Sequence, residues 1–313
     1  MTLSPPAAAP DWVRGVAAAV RGECTPDAPL APRTSIRVGG PADLLVRPAD
    51  PADLPPLLAA CAERGVPIFP LGSGANLLVA DAGIRGVVVR LPADLGEESE
   101  EGERLVLSGG APLSRLVQRA AAAGLVGCEF AAGIPGSLGG AAAMNAGTRI
   151  GEMKDVVERV EVATAGGLRW IPAAELGFAY RTCRLPPGAI VTRVAFRLRR
   201  GDVTASRAAM DADRDYRRRT QPLSWPTWGS TFRNPPGDHA GRLVEAAGLK
   251  GHREGNAMWS DLHANFVVNL GGATARDCLA LIRLARERVR ERFGVVLELE
   301  VRLAGAFAPD EHP

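Results

Sequence analysis

Residues 128–147, CEFAAGIPGSLGGAAAMNAG, contain five glycines and a run of alanines, with Cys128, Glu129, Ser137 and Asn145 as their polar side chains. Such a segment is too small-sided to build a core and too apolar for a solvated linker. Small residues let a backbone and its N–H groups come close to something bulky and anionic. A second run, Gly72-Ser73-Gly74-Ala75-Asn76, lies about 60 residues earlier. One such loop is weak evidence for phosphate binding; two on one scaffold suit a dinucleotide better than a mononucleotide. Neither matches G-x-G-x-x-G opening a helix or the G-x-x-x-x-G-K-[ST] phosphate loop, which disfavours a Rossmann fold or a P-loop. The plainer alternative is a tightly packed turn between core elements.

Metal and thiol chemistry find less support. The five cysteines (24, 61, 128, 183, 278) are scattered without C-x-x-C spacing, and the four histidines (239, 252, 263, 312) lack ligand spacing. Free thiols in a reducing compartment fit better than a disulfide framework or a zinc site, so no metal is expected. Residues 1–10 lack the basic and apolar regions of a signal peptide, and no apolar run approaches a membrane span. The cytoplasm is the expected compartment. Net charge is +2 over 313 residues, which gives no argument for a nucleic-acid partner or an acidic membrane.

The elements that must hold the two loops follow from periodicity. A short helix is expected over 11–21, a strand near 43–47, and a helix over 52–64, with Pro55 and Pro56 tolerable only in its first turn. A strand near 67–71 then runs into the first glycine loop. This strand–helix–strand order is how an α/β nucleotide-binding unit begins. Strands are expected at 86–91 and 104–108, a helix at 112–123, and a hairpin of 156–164 with 168–171 turned by Gly166-Gly167. In 190–199, Val194, Phe196 and Leu198 alternate with Arg193, Arg197 and Arg199, the pattern of a half-buried strand. Composition turns charged over 200–222, where the major domain boundary is expected. Beyond it Thr274-x-x-Asp277 reads as a helix cap, with Cys278, Ile282, Ala285, Val289 and Phe293 as a buried stripe and Gly294 as the stop. A final strand is expected over 295–303. At 46% hydrophobic residues and a mean hydropathy near zero, the chain has apolar material for more than one core.

Five segments carry a resemblance: LGSGANLLVAD (71–81), GIPGSLGGAAAMNAG (133–147), FAYRTCR (178–184), GSTFRNP (229–235) and LELEVRLAG (297–305). Together with TSIRVGGPADLLV (34–46) and AGRLVEAAGLKG (240–251), in this order, they resemble the UDP-N-acetylenolpyruvoylglucosamine reductase family over residues 34–305. The resemblance implies an α+β protein: a two-lobed FAD-binding domain of the vanillyl-alcohol-oxidase (PCMH) type and a C-terminal α+β substrate-binding domain. The corresponding partition is a tail and short helix at 1–25, lobes at 26–92 and 93–202, a substrate-binding domain at 203–307 and a tail at 308–313. It implies NADPH-dependent, FAD-mediated reduction of UDP-N-acetylglucosamine enolpyruvate to UDP-N-acetylmuramate for peptidoglycan, and with it cell shape and division. Another FAD-dependent oxidoreductase, such as an oxidase on the same scaffold, and a non-catalytic flavin-binding module are the alternatives.

Under this resemblance the flavin contacts are expected from Gly72, Ser73, Gly74, Ala75 and Asn76, and from Gly133, Ile134, Pro135, Gly136, Ser137, Gly139, Gly140, Ala143, Asn145 and Gly147. Hydride delivery to an enolpyruvyl group pushes negative charge toward its carboxylate, which calls for fixed positive charge there and an acid beside the α-carbon. Arg181 takes the place of the family's catalytic arginine, and a planar guanidinium can grip a carboxylate with two hydrogen bonds. Ser230 takes the place of its proton donor. Glu298 and Glu300 share one face of the expected last strand, so periodicity does not separate them. The family's glutamate precedes Val-Arg, which selects Glu300. By residue type alone the plainer readings are a surface arginine, a serine in a polar turn and an exposed acidic face. Tyr180, Arg217, Gln221, Asn234 and His263 are the expected contacts to the UDP-sugar or NADPH. Cys183, Arg149 or Ile150, and Trp228 depart from the commoner family residues. The short stretch between Arg181 and Thr220 places the chain in the subgroup without a substrate-covering tyrosine loop.

Overall fold

The fold is seen in a computed structural model that describes residues 11–307. The expected tails at 1–10 and 308–313 lie outside the described residues. The first unit is a four-stranded sheet in the order Glu23–Pro29, Pro41–Arg47, Ile84–Val89, Ile68–Pro70, whose last two junctions are parallel. Parallel neighbours need a crossover, and the helix Leu54–Glu63 supplies it. A turn at Pro51–Asp53 starts that helix, with Asp50 and Asp53 exchanging side-chain-to-backbone hydrogen bonds. Leu54, Leu57, Leu58 and Cys61 then pack on Leu44, Val46, Val87 and Val89. The helix expected over 11–21 is shorter, Trp12–Ala17, because the chain turns into the first strand at Glu23.

The second unit is an antiparallel sheet ordered Gly167–Pro172, Val157–Thr164, Ile190–Arg197, Arg104–Ser108, Ser99–Glu101. The helix Leu113–Ala122 covers it with Leu113, Leu116, Val117 and Ala120. The charged stretch after residue 200 is a helix, Val203–Thr220, buried only at Met210 and Asp213. Met210 joins the core of this second unit, and Ser206 donates to Glu129 at 2.7 Å. The helix therefore lies on the second lobe, although the expected partition counts it with the substrate domain.

The third unit has strands Thr227–Ser230, Phe266–Asn269, Ala257–Trp259 and Arg253–Glu254 in that order. The helix Ala275–Phe293 packs on it with the expected stripe of Cys278, Ile282, Ala285 and Val289; Thr274 and Asp277 form the capping box and Gly294 ends it. The strand expected over 295–303 is mostly absent. Only Arg302–Ala304 pairs, in parallel, with Leu77–Val79 of the first unit; before it there is a single bridge from Leu299 to Phe232. Alternation reports two faces, but a ladder also needs a neighbour in register. Here the backbone partners come from two places: in the segment 231–233, Arg233 N–H donates to Glu298 O at 2.9 Å and Thr231 O accepts from Glu300 N–H at 2.8 Å, while in the first unit Asn76 O accepts from Arg302 N–H at 3.2 Å. The first unit returns the contact, for Ile36, Val38 and Leu78 are buried in the core of the third.

Candidate active site

The two glycine loops meet. A Cβ on Gly72 would lie 2.5 Å from Ser137 Oγ, and one on Gly133 would lie 3.1 Å from Arg217 Nη1. Side chains at these positions would collide with Ser137 and crowd Arg217, so glycine keeps these backbones close to their neighbours, the small-sided lining that a dinucleotide diphosphate fits. Gly72 to Asn76 form the turn between Ile68–Pro70 and Leu77–Val79; Gly133 to Ser137 lead into the short helix Leu138–Ala143, where Ser137 Oγ accepts from Gly140 N–H. Gly139 N–H is taken by Gly109 O at 2.8 Å.

Asn145 has work inside the protein. Its amide donates to Glu152 Oε2 at 2.8 Å and to Ala179 O at 3.1 Å, and its Oδ1 accepts from Lys154 N–H at 2.9 Å. Through Ala179 it holds the turn that carries Tyr180 and Arg181. That turn is closed by Ala179 and Thr182 exchanging backbone hydrogen bonds, and it puts Arg181 in the left-handed region at φ +57°. A non-glycine residue there costs on the order of 1–3 kcal/mol, which the surrounding hydrogen bonds must outweigh. Asn145 is itself at φ +47°.

From that position Arg181 Nε donates to Glu300 Oε1 at 2.9 Å and Nη1 to Gly147 O at 3.2 Å, with Tyr180 under the guanidinium. The Glu300 side chain is 13% exposed and that of Glu298 75%, so tertiary packing makes the choice that alternation cannot. Burial pushes the Glu300 carboxyl up; Arg181, and more weakly Arg233, pull it back, and the balance stays above the ordinary value. Ser230 ends the strand Thr227–Ser230, opposite Phe266. Its neighbour Thr231 accepts the Glu300 N–H, so Ser230 is one residue from the backbone anchor of Glu300. Arg181, Glu300 and the Ser230 strand are thus joined, with Gly147 of the second loop on one side and Asn76 of the first on the other.

Arg217 is half-buried beside Gly133, and its Nε donates to Gln221 Oε1 at 3.1 Å. Burial lowers its pKa and nearby Asp213 opposes that; a guanidinium stays charged regardless. Asn234 and His263 are tied into the third unit. Asn234 Oδ1 accepts from Ala240 N–H at 3.1 Å, and His263 Nδ1 from Asn265 N–H at 3.2 Å, with burial lowering the imidazole's pKa. Among the departures, Trp228 is buried and donates from its indole to Thr231 Oγ1 at 3.1 Å; Arg149 pairs with buried Asp213. The Cys183 thiol is pushed up to about 11 by burial and stays protonated. Asn265 had no sequence signal, yet its side chain exchanges two hydrogen bonds with the Phe232 backbone, and its carbonyl accepts from Thr231 N–H. Among the described residues no cluster of metal-ligating side chains occurs, and no helix is long and apolar enough to cross a membrane.

Two sequence profiles match: an FAD-binding domain over residues 42–170, and the UDP-N-acetylenolpyruvoylglucosamine reductase C-terminal domain over residues 221–304, which begins just after the helix Val203–Thr220. The chain is 69% identical to the UDP-N-acetylenolpyruvoylglucosamine reductase of Anaeromyxobacter sp. (strain Fw109-5) over 96% of its own length and 95% of that protein. It is 56% identical to that of Myxococcus xanthus over 89% and 91% of the two chains. A crystal structure of the Thermus caldophilus enzyme of that name superposes with a TM-score of 0.77 at 41% identity, covering 91% of this chain and 99% of that one. With its FAD-binding lobes, its C-terminal domain and identity across nearly the full length, the chain belongs to the UDP-N-acetylenolpyruvoylglucosamine reductase family.

Proposed function

We propose that this chain reduces UDP-N-acetylglucosamine enolpyruvate to UDP-N-acetylmuramate, a peptidoglycan precursor, with NADPH as hydride source. The observation that carries the site assignment is the Arg181–Glu300 pair at 2.9 Å, set between both glycine loops and beside the Ser230 strand. The balance is simple. The carbon–carbon double bond gains a hydride at its terminal carbon and a proton at the carbon bearing the carboxylate, while NADPH becomes NADP⁺. Gly72 to Asn76 and Gly133 to Gly147 would hold FAD, which would supply the hydride relay between NADPH and the sugar.

The protein's own residues do the rest. Arg181 has Nε on Glu300 and one Nη1 hydrogen on Gly147, which leaves N–H groups for the substrate carboxylate where charge accumulates. Ser230 supplies the proton to the carboxylate-bearing carbon; a hydroxyl is a weak acid, so alignment beside a strongly basic acceptor is what makes it competent. Glu300 orients Arg181 and steadies the proton inventory of the site. Arg217, with Gln221, suits a diphosphate at the lip of the second loop, with Tyr180, Asn234 and His263 as further substrate-side groups. NADPH and the UDP-sugar then use one cleft in turn, in the cytoplasm.

The test is a flavin absorption spectrum of the purified chain, followed by NADPH oxidation with and without UDP-N-acetylglucosamine enolpyruvate. Sugar-dependent consumption supports the reading; consumption tied to oxygen and indifferent to the sugar would favour an oxidase. Ser230→Ala should slow sugar reduction by ~10²–10⁴-fold while slowing flavin reduction far less. Equal slowing of both half-reactions would remove Ser230 from the acid's role.

A further inference from the structure

We propose that Asn76 is a positioning residue for Glu300, coupling the first glycine loop to the strand that carries the proton donor. The proposal rests on the reading above that Glu300 serves the reduction. Asn76 is expected from sequence to meet the cofactor, and its side-chain nitrogen is held within the protein. Asn76 Nδ2 donates to Glu300 O at 2.9 Å and lies 3.6 Å from Met144 Sδ of the second loop. Because a main-chain carbonyl only accepts, the partner itself identifies the nitrogen end of the amide. Both N–H directions are therefore taken by protein, and Oδ1 alone is left for a ligand.

The location of the bond matters more than its strength. The parallel ladder begins at Leu77 opposite Arg302, with Arg302 N–H on Asn76 O. The Asn76 side chain carries the contact past the end of that ladder and reaches Glu300, two residues before Arg302. Glu300 is then gripped from three sides. Asn76 of the first unit holds its carbonyl, Thr231 of the third holds its N–H at 2.8 Å, and Arg181 of the second holds its carboxylate at 2.9 Å. Glu300 is the point where all three units meet. Thr231 is the residue after Ser230, so a shift of the first loop is transmitted through Asn76 to the Glu300 backbone and on to the acid strand. The loop that fits the cofactor and the acid that completes the reaction thereby share one register, in which misplacement of about 1 Å is costly.

The experiment is a double-mutant cycle on the flavin-loaded enzyme, with Asn76→Ala, Glu300→Gln and the pair. Flavin reduction by NADPH and its reoxidation by UDP-N-acetylglucosamine enolpyruvate are followed separately across pH. Asn76→Ala should slow reoxidation ~10-fold more than reduction and shift the pH profile of reoxidation, and in the Glu300→Gln background its effect should shrink to near nothing. An equal penalty in both backgrounds, or equal slowing of both half-reactions, overturns the proposal. If Asn76→Ala does not retain flavin, amide hydrogen exchange over residues 299–302 in flavin-free protein decides. Faster exchange than in the parent supports the tether, and unchanged exchange overturns it. A parent chain that ignores the sugar would sink the proposed function while leaving this exchange test standing.

Discussion

At the scale of single residues the site is a problem in charge and burial. Arg181 is in a costly backbone conformation and Glu300 is a carboxylate in surroundings that favour its neutral form. Arg181→Lys keeps the charge but loses the planar fork; sugar-dependent turnover should fall by ~10²-fold or more, read from steady-state NADPH oxidation. Glu300 allows a sign to be worked out. Its folded-state pKa is raised above the unfolded value of 4.5, so the folded protein holds that proton more tightly. The ionised side chain then costs stability as pH rises through the unfolded and then the folded pKa, and that cost is absent below both. Glu300→Gln, which mimics the neutral form, should gain thermal stability relative to the parent as pH rises from 4 to 8, while losing sugar reduction. Melting curves across that range check it, and a gain that grows toward acid pH would mean the pairing with Arg181 outweighs burial. The residue types were visible in the sequence. The burial that separates Glu300 from Glu298, and the turn that lifts Arg181, were not, because both arise from packing between segments far apart in the chain.

At the scale of elements, periodicity worked wherever one element met one partner. The helix Ala275–Phe293 is legible from its stripe and cap because it packs one face on one sheet. Thr274→Ala should remove the cap and destabilise the chain by about 1 kcal/mol in denaturant titration, with activity retained in the folded fraction. The stretch at 295–303 shows the opposite case. Its alternation is real, with Leu297 and Val301 buried, yet its backbone is shared among Arg233, Thr231 and Asn76, so no sheet forms along most of it. The helix Val203–Thr220 is hard to assign for a related reason. Only Met210 and Asp213 are buried, too few to show in a sequence which unit it lies on.

At the scale of the whole molecule, the first and third units are bound by more than the Arg302–Ala304 ladder. Asp81 of the first accepts from Ala275 N–H at 2.8 Å and Arg276 N–H at 3.1 Å, at the start of the long helix of the third. An acidic side chain there is favoured by the helix dipole and accepts from first-turn amides that the helix itself does not use. Asn269 of the third donates to Ile36 O of the first at 2.9 Å and accepts from Gly271 and Ala273 N–H. Asp81→Ala should destabilise by ~1.5–3 kcal/mol, the range for losing a hydrogen bond to a charged group. If the two units are one cooperative body, denaturant unfolding should stay a single transition with a lower midpoint; separate transitions would show that they unfold independently.

By itself the sequence determined the kinds of element, the glycine loops suited to a diphosphate, and, through resemblance, the family and its three candidate catalytic residues. These depend on local pattern and on motif, which a linear chain carries in full. The tertiary structure decided which glutamate is enclosed, which unit the charged helix covers, and that Asn145 and Asn76 donate to Ala179 O and Glu300 O. The physical reason is the same in each case: burial and hydrogen-bond pairing are set by residues far apart in the chain, 224 positions for Asn76 and Glu300, and no spacing within one segment encodes them.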